Sequence, residues 1–354
     1  MTVIDEARSV RQGDELDVAA VNAYLQARIP GLAGEPDVRQ FPGGASNLTY
    51  LLRYADRDFI LRRPPAGRKA KGAHDMVREA RIMQALKPVY PYVPEVFAIC
   101  EDDAVIGSEF YVMQRLVGVI PRQDFPPELH LTPERTRQLC LNVIDKLVEL
   151  HQVNLQLAGL ATLGKGEGYV SRQITGWTER LRAAHTPDNR DFAEVIAWLE
   201  AKKPAGEVAI TLIHNDFRFD NVVLDPDDLH VIGVLDWEMA TLGDPLMDLG
   251  NSLAYWVQAD DDAIFQLMRR QPTNAPGMLT RDEVIAYYGE KTGWKVDNFD
   301  FYSVYGLFRL AGIAQQIWYR YFHKQTTNPA YASFGPMVNY LEQRCLELIR
   351  KSPL

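Results

Sequence analysis

The sequence predicts an α+β chain in two lobes: a small antiparallel sheet of five strands with one helix, then a larger, mainly helical lobe. Three observations lead there. Five short apolar or aromatic stretches lie between Val38 and Leu116, with one amphipathic run inserted after the third. From Leu131 the apolar residues recur at helical spacing. Strand-like segments return only from Ala209 to Leu235, and beyond Pro245 the pattern is helical to the end.

Each element has its own warrant. Val18, Val21, Leu25 and Ile29 make an apolar face over Asp17 to Ile29, a helix that stops at Pro30 and Gly31. Val38 to Phe41 leads into the small-residue loop Pro42 to Asn47. Leu48 to Tyr54 and Phe59 to Arg62 then flank the turn Ala55 to Asp58. Ala73 to Leu86 reads as the inserted helix, with Met76, Ala80, Met83 and Leu86 as its stripe and Pro88, Pro91 and Pro94 ending it. Val96 to Cys100 and Glu109 to Leu116 complete the sheet. Thr132 is placed as an N-cap with Pro133 at the first helical position, and Leu139, Val143, Leu147 and Leu150 form the buried stripe that follows. Arg172 to Ala184 and Asp191 to Lys202 are further helices, and aromatic residues are dense between Tyr302 and Phe322. The expected lobes are 1–116 and 117–354, meeting near Val117 and Gly118.

Composition narrows the function. A chain of 354 residues, 47% hydrophobic and 24% charged, is long enough for two cores. A formal net charge of -9 speaks against a broad nucleic-acid surface. No run approaches the roughly 18 apolar residues of a membrane span. Cys100, Cys140 and Cys345 are far apart and lack metal-ligand spacing, which points to reduced thiols in a cytoplasm. The opening MTVIDEARSV carries acids early and has no apolar core, so it does not read as a signal peptide. A soluble cytoplasmic protein acting on a small molecule, without nucleic-acid or membrane partners, is expected; oligomeric state is not indicated.

The chemistry concentrates in His214-Asn215-Asp216-Phe217-Arg218-Phe219-Asp220-Asn221, between two apolar strands. Asp216 and Asn221 have the spacing of a kinase catalytic loop. One carboxylate accepts the hydroxyl proton and aims the oxygen at phosphorus; one amide oxygen holds a Mg²⁺ that bridges phosphates. His214 suits a role fixing the loop backbone. The same string is equally compatible with a polar connection closed by a cap or an Asx turn. A second strand pair around Asp225 to Asp228 ends in Asp236-Trp237-Glu238. An acid at the end of a buried strand needs a cation or hydrogen bonds to offset its desolvation, so Asp236 reads as the Mg²⁺ chelator. Glu238 either assists there, faces substrate, or is a surface carboxylate. Asp244 fits a turn or N-cap with Pro245 after it, and Asp248, one helical turn on, is placed to hold loop amides.

Taken in order, His214-Asn215-Asp216 with Asn221, Val234 to Glu238, and Gly243-Asp244-Pro245 with Asp248-Leu249 resemble the aminoglycoside phosphotransferase and choline kinase family. Gly43 to Tyr50, Leu61-Arg62-Arg63-Pro64-Pro65 and Arg309 to Ile313 are similar to the subgroup of kinase-like domains fused to some acyl-CoA dehydrogenases. The resemblance runs from about Phe41 to about Arg320 and implies a protein-kinase-like fold. It also implies that Gly43, Gly44, Ala45, Ser46 and Asn47 cover the nucleotide phosphates, although the loop lacks a full GxGxxG and would alone be an ordinary hairpin turn. Alternation puts Ile60 and Arg62 on one face of strand three. Ile60 would then roof the adenine, and Arg62 would grip the α- and β-phosphates where kinases usually carry lysine. Glu79 is the implied ion-pair partner of Arg62, or else a surface glutamate. The hinge lies at Tyr111 to Leu116, including Gln114 and Leu116, and its main-chain contacts do not separate ATP from GTP. His151 resembles the histidine that packs under the catalytic loop.

The acceptor is less legible. Arg172, Trp177, Tyr255, Trp256, Arg309, Trp318, Tyr319 and Arg320 are candidates by position, and each is also compatible with the core. The arginines and the acyl-CoA dehydrogenase connection point to a hydroxy acid or hydroxyacyl thioester; an amino alcohol or aminoglycoside-like compound is the alternative. An active small-molecule kinase using ATP or GTP with Mg²⁺ is the leading expectation. Its rival, a nucleotide-binding regulatory protein without turnover, draws on the Arg62 substitution and the incomplete glycine loop. Asp216, Asn221 and Asp236 together argue against it, because a mere binder needs no base. Protein kinase activity is disfavoured, since Asp244-Pro245 follows Asp236 within eight residues and leaves no room for a peptide-docking loop.

Overall fold

The structure, a computed structural model, describes residues 4–42, 47–65 and 75–354. The strands are β1 (Asp37–Gln40), β2 (Leu48–Arg53), β3 (Asp58–Arg63), β4 (Val96–Cys100), β5 (Phe110–Gln114), β6 (Thr211–Ile213), β7 (Val222–Leu224), β8 (Val231–Val234) and β9 (Thr241–Gly243). The helices are α1 (Val18–Gln26), α2 (Met76–Leu86), α3 (Pro133–His151), α4 (Tyr169–Ala183), α5 (Ala193–Lys202), α6 (Pro245–Leu253), α7 (Ala263–Leu267), α8 (Arg281–Thr292), α9 (Asp300–Phe322) and α10 (Phe334–Lys351). They fall into two compact units made of separate stretches. One comprises Met1–His130, Asn154–Leu160 and Phe219–Ala240; the other comprises Leu131–Val153, Ala161–Arg218 and Thr241–Leu354.

In the first unit the five-stranded sheet has the order β1-β2-β3-β5-β4, with every neighbouring pair antiparallel. Alternation along the strands sorts its two faces. Tyr50, Leu52, Phe59, Leu61, Phe110 and Val112 join Val21 and Leu25 of α1 in one core. Ile60, Arg62, Tyr111 and Met113 therefore belong to the opposite face. The sheet with one helix after its third strand is the architecture expected from the sequence. Asp17 caps α1, its carboxylate accepting the Ala20 N–H at 3.0 Å, but the helix ends at Gln26. The amides of Arg28 and Ile29 both turn back to the Leu25 carbonyl, so the apolar spacing to Ile29 reflects a turn that packs. β7 and β8 form a separate antiparallel pair in this unit.

In the second unit, Thr132 caps α3, accepting the Arg135 N–H, and Asp244 caps α6, accepting the Leu246 N–H at 2.7 Å. A paired capping box, Thr280 with Glu283, opens α8. α6 and α9 approach closely at Gly250 and Gly306: a Cβ on Gly306 would lie 2.2 Å from the Gly250 carbonyl oxygen. β9 pairs antiparallel with β6. It is only three residues long, too short to show period-two alternation in the sequence. Cys100, Cys140 and Cys345 are buried free thiols. Among the described residues, no helix is long and apolar enough to cross a membrane.

Candidate active site

The first unit holds a cavity of about 850 Å³. Its walls include Ile60 and Arg62 from β3, Gln114 and Leu116 at and after the end of β5, and Asn221 and Asp236. Arg62 is the charge centre. Its Nη1 donates to Glu79 Oε1 at 2.5 Å and to the Tyr111 hydroxyl at 3.2 Å; its Nη2 donates to Asp236 Oδ1 at 3.1 Å. Glu79 reaches Arg62 from α2 with its side chain fully buried. Burial pushes the Glu79 carboxyl up to about 7, against the opposing pull of the Arg62 guanidinium. Arg62 remains charged because its carboxylate neighbours outweigh its own desolvation.

The backbone around Asp236 is built tightly. Asp236 adopts a left-handed φ of 68° just beyond β8. The Leu235 amide donates to the Asn221 carbonyl at 2.8 Å and the Val234 amide to the Tyr92 carbonyl at 2.7 Å, which places the two proposed oxygen donors on adjoining backbone. Trp237 is buried, its indole donating to the Val234 carbonyl at 2.9 Å, and Arg78 of α2 donates to the carbonyls of Glu238 and Ala240. The Glu238 carboxylate accepts from Asn47 Nδ2 at 3.0 Å. Gly43, Gly44, Ala45 and Ser46 lie outside the described residues. After β5, Val119 and Leu224 exchange backbone hydrogen bonds at 2.8 Å.

The N-terminal segment also belongs to this cavity, although no sequence pattern marks it. Ile4 to Arg8 contribute to its wall, Arg8 exchanges two 2.8 Å backbone bonds with Gln40, and Asp5 pairs with Arg122. No periodicity marks a segment held by one bridge and one ion pair.

The second unit holds the loop with Asp216. Asp248, buried on α6, accepts the amides of His214 and Asn215, each at 2.7 Å, and contacts His151 Nε2 at 3.0 Å. Burial alone would raise its carboxyl, but His151, His214 and these donors hold it below the ordinary carboxylate value. His151 Nδ1 meets the Tyr288 hydroxyl at 2.6 Å. The Asp216 amide donates to His214 Nδ1 at 3.2 Å, and Asp216 Oδ2 lies 3.3 Å from Arg218 Nη2. Arg218 stands 4.7 Å over the Tyr255 ring. Nothing in the sequence pattern singles out Arg218 except its place two residues after Asp216.

The proposed acceptor residues have mixed settings. Arg172 donates to the Gly166 and Glu167 carbonyls, Trp256 is buried and bonds the Leu279 carbonyl, and Trp318 packs on Gly335 and bonds Asp188. Of the proposed arginines, Arg309 touches the loop, donating to the Asn215 carbonyl at 3.0 Å.

Residues 37–283 match the family model described as "Phosphotransferase enzyme family". The chain belongs to that family. Among curated relatives of this chain, mouse acyl-CoA dehydrogenase family member 10 is 33% identical over 351 residues, covering 98% of the chain and 32% of the relative. The human family member 11 is 32% identical, covering 96% and 44%. The chain thus spans 32% to 44% of the length of these relatives. A solved structure of a putative aminoglycoside phosphotransferase from Ralstonia eutropha aligns with TM-score 0.82 at 27% identity, covering 96% of this chain and 100% of that one. Choline kinase from Cryptosporidium parvum aligns at 0.65 and 14%, covering 95% and 96%. A thermostable aminoglycoside phosphotransferase mutant in ternary complex with AMP-PNP and hygromycin B aligns at 0.55 and 15%, covering 94% and 99%. The kinase-like α+β fold expected from the sequence is the fold of this chain.

Proposed function

We propose that the chain is a small-molecule kinase that transfers the γ-phosphate of ATP or GTP to a substrate hydroxyl. The observation that carries this reading is the common cavity in the first unit, which Asn221, Asp236 and Arg62 all line and in which Asp236 bonds the guanidinium of Arg62. An amide oxygen and a carboxylate are hard donors suited to Mg²⁺, and a planar cation beside them suits phosphate oxygens. In this reading Asn221 and Asp236 hold the metal. A bound Mg²⁺ would supply positive charge there to offset that of the nucleotide phosphates. Arg62, kept in place by Glu79, clamps the α- and β-phosphates; Ile60 and the segment from Gln114 to Leu116 take the base, and Gly43 to Asn47 cover the phosphates. Asp216 accepts the acceptor's proton and aims its oxygen. Asp248 and His214 support the loop that carries it. Positioning and charge neutralisation supply most of the acceleration.

The acceptor belongs to the hydroxy acids, hydroxyacyl thioesters, amino alcohols or aminoglycoside-like compounds. Release of ADP or GDP, screened across these classes with Mg²⁺ present, tests the reading. Turnover with one class supports it. Nucleotide binding with silence across every class would favour a regulatory, non-catalytic role.

A further inference from the structure

We infer that Arg309 is a positioning residue for the proposed base: it acts on Asp216 through the backbone of Asn215 and does not bind the acceptor. The inference rests on the assignment of Asp216 proposed above. Asn215 has a left-handed φ of 65°, a conformation that asparagine adopts more readily than most residues with a Cβ and that its surroundings fix here. Four groups do so. The Asn215 amide donates to Asp248 Oδ1 at 2.7 Å. Its side-chain Oδ1 accepts from the Tyr169 hydroxyl and from Asn251 Nδ2, each at 3.1 Å. Its carbonyl accepts from Arg309 Nη2 at 3.0 Å.

That carbonyl lies in the same rigid peptide plane as the Asp216 amide. The plane is gripped at both ends, by Arg309 at the oxygen and by His214 Nδ1, 3.2 Å from the Asp216 nitrogen. Rotating it would swing the Asp216 side chain. Arg309 can impose this hold because it is itself fixed. It sits mid-way along α9, is 5% exposed, and its guanidinium lies 5.4 Å over the Trp177 ring. Among the described residues it has no carboxylate partner. A buried cation without a counter-ion is costly to keep, so it must meet a need that an uncharged residue would not. A backbone carbonyl takes a stronger hydrogen bond from an ionised donor than from a neutral one. The alternative use of such a cation, an anionic group on the acceptor, is the outcome the test must separate.

Hydrolysis of MgATP with water as the acceptor separates them, because no acceptor ligand is present. Arg309→Met should lower kcat for ADP release by about 10²-fold with the KM for ATP unchanged. Arg309→Lys, which restores a charged donor but not the flat ring contact, should recover part of the rate. An unchanged water reaction in Arg309→Met would overturn the inference and leave acceptor binding as the role of this side chain. Hydrogen–deuterium exchange reads the clamp independently of turnover: exchange at residues 214–216 should quicken in Arg309→Met while exchange in α3 and α10 stays unchanged. No local quickening in a folded variant would also overturn it. A wild-type chain that releases no ADP would count against the kinase reading alone, and the exchange result would then decide the clamp.

Discussion

Arg62 and Asp236 lie 3.1 Å apart across one cavity wall, a proposed phosphate ligand against a proposed metal ligand. The same guanidinium reaches Glu79 at 2.5 Å, so a single arginine ties β3 to α2 and to the segment after β8. Replacing it with methionine strands a fully buried carboxylate. Arg62→Met should therefore lose about 3 kcal/mol of stability, read by urea unfolding, and should raise the nucleotide KM. Arg62→Lys restores the charge but not the fork, so it should keep most of the stability and only part of the affinity.

Glu79 makes a pH prediction. Its carboxyl is raised from 4.5 to about 7, chiefly by burial. Between those values the unfolded chain has lost a proton that the folded chain retains, so this group's contribution to stability falls as pH rises. Glu79→Gln removes that dependence. The Tm of the variant relative to wild type should climb between about pH 5 and pH 7 and level off above. A Tm difference that does not change with pH would remove the assigned shift.

Asp248 behaves in the opposite sense. Its folded carboxyl is held below the ordinary value, so the stability it confers is full near neutrality and is lost only as pH falls through that lowered value. Asp248→Asn leaves two buried amides and His151 facing a weaker acceptor. It should cost about 2–4 kcal/mol at pH 7, and the gap to wild type should narrow in acid. Chemical unfolding at both pH values checks this.

Gly118 tests the packing after β5. A Cβ there would stand 2.3 Å from the Leu224 carbonyl oxygen, beside the Val119–Leu224 bridge. Gly118→Ala should destabilise by about 1–3 kcal/mol and weaken nucleotide binding more than Gly→Ala at an exposed turn such as Gly206, where nothing lies within 4 Å.

The proposed base can be isolated from nucleotide binding. Asp216→Asn should reduce phosphoryl transfer by about 10³-fold while changing MgATP affinity by no more than about 1 kcal/mol. Transfer assays paired with calorimetry give both values. Retained turnover would remove Asp216 from its role.

Much of this was legible in the sequence because the signals are local. Strand alternation put Ile60 and Arg62 on one face, and Asp244 with Pro245 announced the start of α6. The ordered motifs around Asp216, Asn221 and Asp236 carried the family. What escaped depends on contacts far apart in sequence. Arg309 meets Asn215 across 94 positions, and no spacing rule links them. The segment Ile4 to Arg8 lines a cavity through its bridge to Gln40 and the Asp5–Arg122 pair, and β9 is too short to show a period. Residue type singles out Arg172, Trp256 and Trp318, but type does not tell what a side chain bonds: Arg172 meets nearby carbonyls, Trp256 the Leu279 carbonyl and Trp318 the Asp188 carboxylate.

The central claim is that Asn221 and Asp236 hold the metal that accompanies the nucleotide. Calorimetric titration of ATP with and without Mg²⁺, on wild type and on Asp236→Asn, tests it most directly. Wild type should bind ATP at least about tenfold tighter with Mg²⁺, and the variant should lose that enhancement while keeping its metal-free affinity. An equal Mg²⁺ enhancement in both proteins would contradict the account.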